Sequence, residues 1–162
     1  MSRLHRIARI AVLTALSLIL FILEGLLPLP LPVPGAKLGL AAAATLIALW
    51  TLPVRDAGIM LLLRILLASF FGGGPASMLY SLAGGTASFT GMALLKKHTQ
   101  LSVVGISAAG GFLHNMAQLA AAAAVMETTA LFTYTPILGA AGVLTGIAVG
   151  LLTRSVLSKT LR

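Results

Sequence analysis

The chain has 162 residues, of which 59% are apolar and only 9% charged, with a net charge of +8. A soluble domain carries about 25% charged residues, so this composition cannot cover a water-facing surface, and the solvent for most of it is a bilayer. There is no cysteine, which excludes disulfides, thiolate metal sites, iron–sulfur clusters and thiol nucleophiles.

The first element is basic and then apolar, as in a signal peptide. Its apolar run is about 20 residues, too long for a signal h-region, and no small-x-small cleavage site ends it. It is read as a retained span over 7–27. Further apolar spans follow over 38–52, 56–71, 76–95, 101–126 and 136–157. At about 1.5 Å per residue most of these cross a hydrocarbon core of about 30 Å. The second and third are short and need flanking residues or a thinned bilayer. The expectation is an all-α integral membrane protein: one six-helix transmembrane domain over 1–162, without internal repeat or soluble domain.

Charge gives the orientation. With the N-terminus in the cytoplasm, Arg3, Arg6, Arg9, Arg55, Lys96, Lys97, Arg154, Lys159 and Arg162 are inside, and only Lys37 lies in an outer loop. This satisfies the positive-inside rule and predicts both termini in the cytoplasm, in a plasma or inner membrane. The basic residues stand at the ends of apolar runs rather than along one polar face, so nucleic acid is not the expected partner.

The connections follow the same count. "PLPLPVPGAKLGL", 28–40, is a stiff outer loop with four prolines. It is expected to be a lid with Lys37 at its tip. "LPVRDAG" is a short inner turn in which Arg55 and Asp56 are expected to cap. "GGGPAS" is a tight outer turn, "KKHTQLS" an inner connection and "TTALFTYTP" a longer outer loop. In the last span Gly142, Gly146 and Gly150 recur every four residues and form a stripe for close helix packing. Ala11 and Ala15 form a small-xxx-small pair near the cytoplasmic end of the first span.

Polar residues inside a membrane need a reason, because a charge at its centre costs at least about 2.5–3.5 kcal/mol. Glu24 lies near the outer end of the first span and Arg64 near the middle of the third. His114 and Gln118 share one face of the fifth span, with Asn115 beside them. Tyr80 and Ser81 lie below the outer end of the fourth, and Lys37 at the mouth of the second. All fall between the midplane and the outer face, which points to a polar cavity open outward that binds an anionic small molecule. Three structural readings stand beside this one: Arg64 and Glu24 as a helix-pairing ion pair, His114 as a core histidine bonded to a carbonyl, and Glu24 as a residue solvated at the interface. No phosphate-binding loop, metal motif or paired-carboxylate site is present, and three acidic residues in all cannot build an Asp-rich diphosphate site. No catalytic residue, metal or cofactor is expected, and the chain is not expected to be an enzyme.

"PVPGAKLGLA", "LLLRILL", "SLAGG", "HNMAQL" and the glycine-striped last span occur in that order. Together they resemble the Gx transporter family, whose members are often labelled heptaprenyl diphosphate synthase component I. Where the family loop reads on into Leu-Ala-Asn, this chain has Leu40-Ala41-Ala42. That family is similar to the substrate-binding S-components of energy-coupling factor (ECF) vitamin importers. The resemblance implies a six-helix capture subunit that works with an energising membrane subunit and ATPases, with Ala11 and Ala15 at the partner interface. It also implies an alternative, a non-catalytic membrane partner of a prenyl diphosphate synthase; beside it stands a membrane anchor in quinone metabolism or in a flavin-based electron-transfer system. A helix-packing subunit without a ligand is a third reading.

Overall fold

The computed structural model describes residues 3–26 and 40–160. Six α-helices follow one another: α1 (Arg3–Leu26), α2 (Leu40–Thr51), α3 (Val54–Ala68), α4 (Gly74–His98), α5 (Val103–Val125) and α6 (Thr135–Thr160). No strand occurs among the described residues. The helices fall in the expected order, with ends within a few residues of the apolar spans. The proline-rich segment and Lys37 lie outside the described residues.

α1 is amphipathic in the sense opposite to a water-soluble helix. Its buried residues are Thr14, Ser17 and Glu24, while Leu4, Ile7, Val12, Leu16, Ile19, Ile22, Leu23 and Leu26 are exposed. In water the apolar stripe turns inward; here the polar groups do, as they must when the surrounding solvent cannot hydrogen-bond. Arg3–Leu26, Met78–His98 and Thr129–Lys159 are each long and apolar enough to cross a membrane. With 12 and 15 residues, α2 and α3 are only about 18 and 22 Å long, short of a core of about 30 Å. α5 has 23 residues, but His114, Asn115 and Gln118 interrupt its apolar run.

The short α2 is the best-covered helix. Ala41, Ala43, Ala44, Leu46, Ala48 and Leu49 are all buried, as is Leu52 just past its end. One side packs in a cluster with Met92 of α4, Ile106 of α5 and Val149 of α6. The other packs with Ala57 and Met60 of α3. Ser17 of α1 donates to the Ala41 carbonyl at 2.9 Å, tying α1 to the start of α2. Lys96 Nζ donates to the Leu49 carbonyl at 2.6 Å and lies 4.9 Å from the Trp50 ring centroid. It thereby satisfies one of the carbonyls left open at the end of α2.

Three connections differ from the sequence reading. The glycine-rich turn is not an open loop: the chain continues from α3 through a π-helical turn, Ser69–Gly73, and α4 restarts at Gly74 with φ 66°. Glycine adopts that left-handed conformation without steric cost. The loop before α6 contains a 3-10 helix, Thr129–Tyr134. Asp56 is not a cap. Pro53 stands at the N-cap of α3 with no side-chain bond to the helix, and Asp56, fully buried, pairs with Arg6 of α1 at 2.5 Å. A carboxylate in an apolar bundle is stabilised more by a guanidinium across the interface than by its own helix end.

That pair brings the N-termini of α1 and α3 together, and Lys96 brings the C-terminus of α4 to that of α2. These ends form the basic end of the bundle. Glu24, Gly74 and Thr135 stand toward the opposite end.

Candidate functional site

α4 lies between α3 and α5, and two adjacent glycines make this possible. A methyl group at Gly84 would stand 2.7 Å from Gln118 Cγ and 3.0 Å from both the ring and the backbone oxygen of His114. A methyl group at Gly85 would stand 3.0 Å from Ile65 Cδ1. Gly84 therefore admits α5 and Gly85 admits α3. The result is that residues 64 and 65 of α3 and the His114 face of α5 converge on the same turn of α4.

Three ionisable side chains meet in this region from three helices. Arg64 is about 15 Å along α3 and only 7% exposed. Glu24 of α1 is 3% exposed. His114 of α5 is half-buried, and its ring hydrogen-bonds the backbone of Gly84. Arg64 lies within electrostatic reach of both Glu24 and His114. The Nε of Arg64 is buried and has no hydrogen-bond partner. An unused donor on a buried guanidinium is costly, and it is the feature of this cluster that internal packing does not explain. Gln118, one turn from His114, closes the same side against Gly84.

The other candidates divide. Tyr80 and Ser81 are half-buried on α4, one turn before Gly84 and Gly85, and so on the same two faces as those glycines. Asn115 points elsewhere: its Nδ2 donates to the Leu138 carbonyl of α6 at 2.8 Å. The structure thus brings Glu24, Arg64, His114 and Gln118 together and places Asn115 at the α5–α6 seam. Lys37 lies outside the described residues.

The glycine stripe faces α5. A methyl group at Gly146 would lie 2.5 Å from the Ser107 carbonyl oxygen, and one at Gly150 would lie 2.7 Å from Val104 Cα. Gly142 meets Gly111. Ala11 and Ala15 are both exposed on α1, so this small-residue pair is not buried in the bundle.

Sequence reasoning missed Gly84 as the seat of the cluster. "SLAGG" was visible, but nothing in it says which glycine faces the histidine. It also missed Ser17, Thr45 and Thr153. The hydroxyls of Thr45 and Thr153 are buried without a hydrogen-bond partner, and single hydroxyls in alanine-rich helices give no pattern.

A cavity of about 610 Å³ opens at the basic end, lined by Arg3, Arg6, Ile7 and Ile10 of α1 and Arg55, Asp56 and Ile59 of α3. Among the described residues no group of three or more His, Cys, Asp or Glu could hold a metal ion.

A family model described as heptaprenyl diphosphate synthase component I matches residues 13–156. No curated protein and no solved structure matches.

Proposed function

The chain belongs to the heptaprenyl diphosphate synthase component I family, and from that premise we propose that it is a non-catalytic membrane subunit that captures a small anionic ligand inside a six-helix bundle. The observation that carries this reading is the Arg64 guanidinium, buried with a free Nε donor beside His114 and in the field of Glu24. An ionised group held inside a membrane bundle marks a ligand or ion site by default. Arg64 supplies the charge and a planar set of donors suited to a carboxylate or phosphate. Glu24 holds the guanidinium in place when the site is empty. His114 and Gln118 add polar contacts from the facing helix, and Tyr80 and Ser81 line the approach. Asn115 acts through the α5–α6 seam.

In this reading all six helices span the plasma or inner membrane, with both termini in the cytoplasm. α2 and α3 cross where the bilayer is thinned or where neighbouring helices cover their ends. Ala11 and Ala15, exposed on α1, form the seat for an energising membrane subunit whose ATPases drive import, as in ECF-type systems. The test is a thermal-shift screen of the purified protein against flavins, other vitamins and prenyl diphosphates. A ligand that raises the melting temperature, and no longer does so in Arg64→Ala and His114→Ala, supports the site. If no compound shifts the protein, or if a hit survives both substitutions, the site assignment fails.

The family name favours a second reading, in which the chain is the membrane partner of a separate prenyl diphosphate synthase that carries the catalysis. It predicts stable co-purification with a soluble enzyme whether or not Arg64 is present. Loss of that association in the Ala11→Leu/Ala15→Leu variant would place the contact on α1.

A further inference from the structure

The cavity at the basic end is separate from the buried cluster, and it has a chemistry of its own. Positive residues at the cytoplasmic ends of spans usually serve topology alone. Here three arginines line one cavity of about 610 Å³ together with Ile7, Ile10 and Ile59. Three guanidinium groups against the single carboxylate of Asp56 leave the lining with a net charge of +2. That carboxylate is already engaged by Arg6. Arg3 and Arg55 are exposed and have no hydrogen-bond or ion-pair partner among the described residues. α3 begins at this cavity without a side-chain cap, so its open amide groups and helix dipole add positive potential.

The wall between the arginines is aliphatic and open. Ile7 is 55% exposed and Ile59 39% exposed. A free inorganic anion would gain nothing from this wall. An anion carrying a hydrocarbon tail would gain from both parts: its head between Arg3 and Arg55, and its tail along Ile7, Ile10 and Ile59 into the adjoining apolar layer. Guanidinium groups pair with phosphate oxygens by two parallel hydrogen bonds, which favours a terminal phosphate or diphosphate over a zwitterionic head.

We propose that the cleft between the N-termini of α1 and α3 binds a phosphate-headed amphiphile, with Arg3 and Arg55 as the headgroup ligands. Two sources share this chemistry, an anionic glycerolipid and an isoprenoid diphosphate, and the experiment separates them. The full chain, purified in a neutral detergent, is titrated with dioleoyl phosphatidic acid, farnesyl diphosphate, inorganic diphosphate and dioleoyl phosphatidylcholine, with bound molecules counted by native mass spectrometry. At least one of the first two is expected to bind one to one and at least tenfold tighter than inorganic diphosphate or phosphatidylcholine. The tighter of the two names the source. Arg3→Gln/Arg55→Gln should weaken that binding at least tenfold, and Arg3→Lys/Arg55→Lys should recover part of it. Both arginines are exposed and have no partner among the described residues, so the melting temperature of the unliganded variants should match that of the parent chain. Inorganic diphosphate or phosphatidylcholine binding as tightly as the amphiphiles would overturn the proposal, as would unchanged binding in the glutamine double variant. Arg64→Ala leaves this binding intact, so failure here is distinguishable from failure at the buried cluster.

Discussion

Replacing Gly146 by alanine adds one methyl group at the α5–α6 seam. That methyl would stand 2.5 Å from the Ser107 carbonyl oxygen and 2.8 Å from Ala108 Cα. Ordinary contact begins near 3.4 Å, so the two backbones must separate by about 0.9 Å locally. No flexible side chain can move aside, because both obstructing atoms are main chain. Overpacking of this kind costs about 1–3 kcal/mol, and a backbone obstruction belongs in the upper part of that range. Alanine returns about 1 kcal/mol of helix propensity over glycine. The net expectation is a loss of about 1–2 kcal/mol, a fall in melting temperature of roughly 2–8 °C for a chain of this size. Gly58→Ala is the matched control. Its methyl meets only the Phe89 ring, at 3.5 Å from Cε1 and 3.7 Å from Cζ, so that variant should be neutral or gain up to about 1 kcal/mol. Thermal unfolding of both proteins in one detergent, followed by the fluorescence of the single tryptophan, Trp50, gives the comparison. If Gly146→Ala melts at or above Gly58→Ala, the two helices are not in backbone contact and the reasoning is wrong.

Glu24→Gln should destabilise the protein by about 3 kcal/mol, because it leaves the buried Arg64 charge without its carboxylate. Glu24→Gln/Arg64→Met should recover most of that loss while abolishing any ligand-induced thermal shift; a double variant that still responds to ligand would count against the site. Ser17→Ala removes the 2.9 Å bond to the Ala41 carbonyl and should cost about 1 kcal/mol in the same assay. Lys96→Met should change the emission of Trp50 and cost about 1–2 kcal/mol, since one side chain provides both the carbonyl bond and the ring contact.

Much of the helical layout was legible because lipid imposes a simple rule on sequence. Apolar runs and their flanking basic residues mark where helices start and stop, and the glycine stripe at residues 142, 146 and 150 marks a close seam. The short second and third helices were visible as short runs. Pairing across helices was less legible. Asp56 follows a turn and reads as a cap, yet its partner is Arg6, fifty residues earlier. His114 and Asn115 are neighbours in sequence and read as one polar patch. Their side chains leave α5 about 100° apart, so one reaches Gly84 of α4 and the other Leu138 of α6. The glycine-rich stretch after α3 reads as a loop because glycine breaks helices in water. Here the backbone continues from α3 through a π-helical turn, Ser69–Gly73, and so keeps its hydrogen bonds where a loop would open them.

The position of α2 has a consequence for how the protein is made. Its buried face is completed by Met92, Ile106 and Val149, the last about a hundred residues downstream. α2 emerges early from the ribosome but finds the last part of its packing surface only when α6 arrives. Until then Leu46 and Leu49 face lipid or whatever insertion machinery shelters them. Pairings this distant in sequence form late, and the incompletely packed chain is the species most exposed to misassembly. Truncation before α6 should therefore yield a membrane-inserted chain that is cleared by proteolysis, rather than a stable smaller bundle.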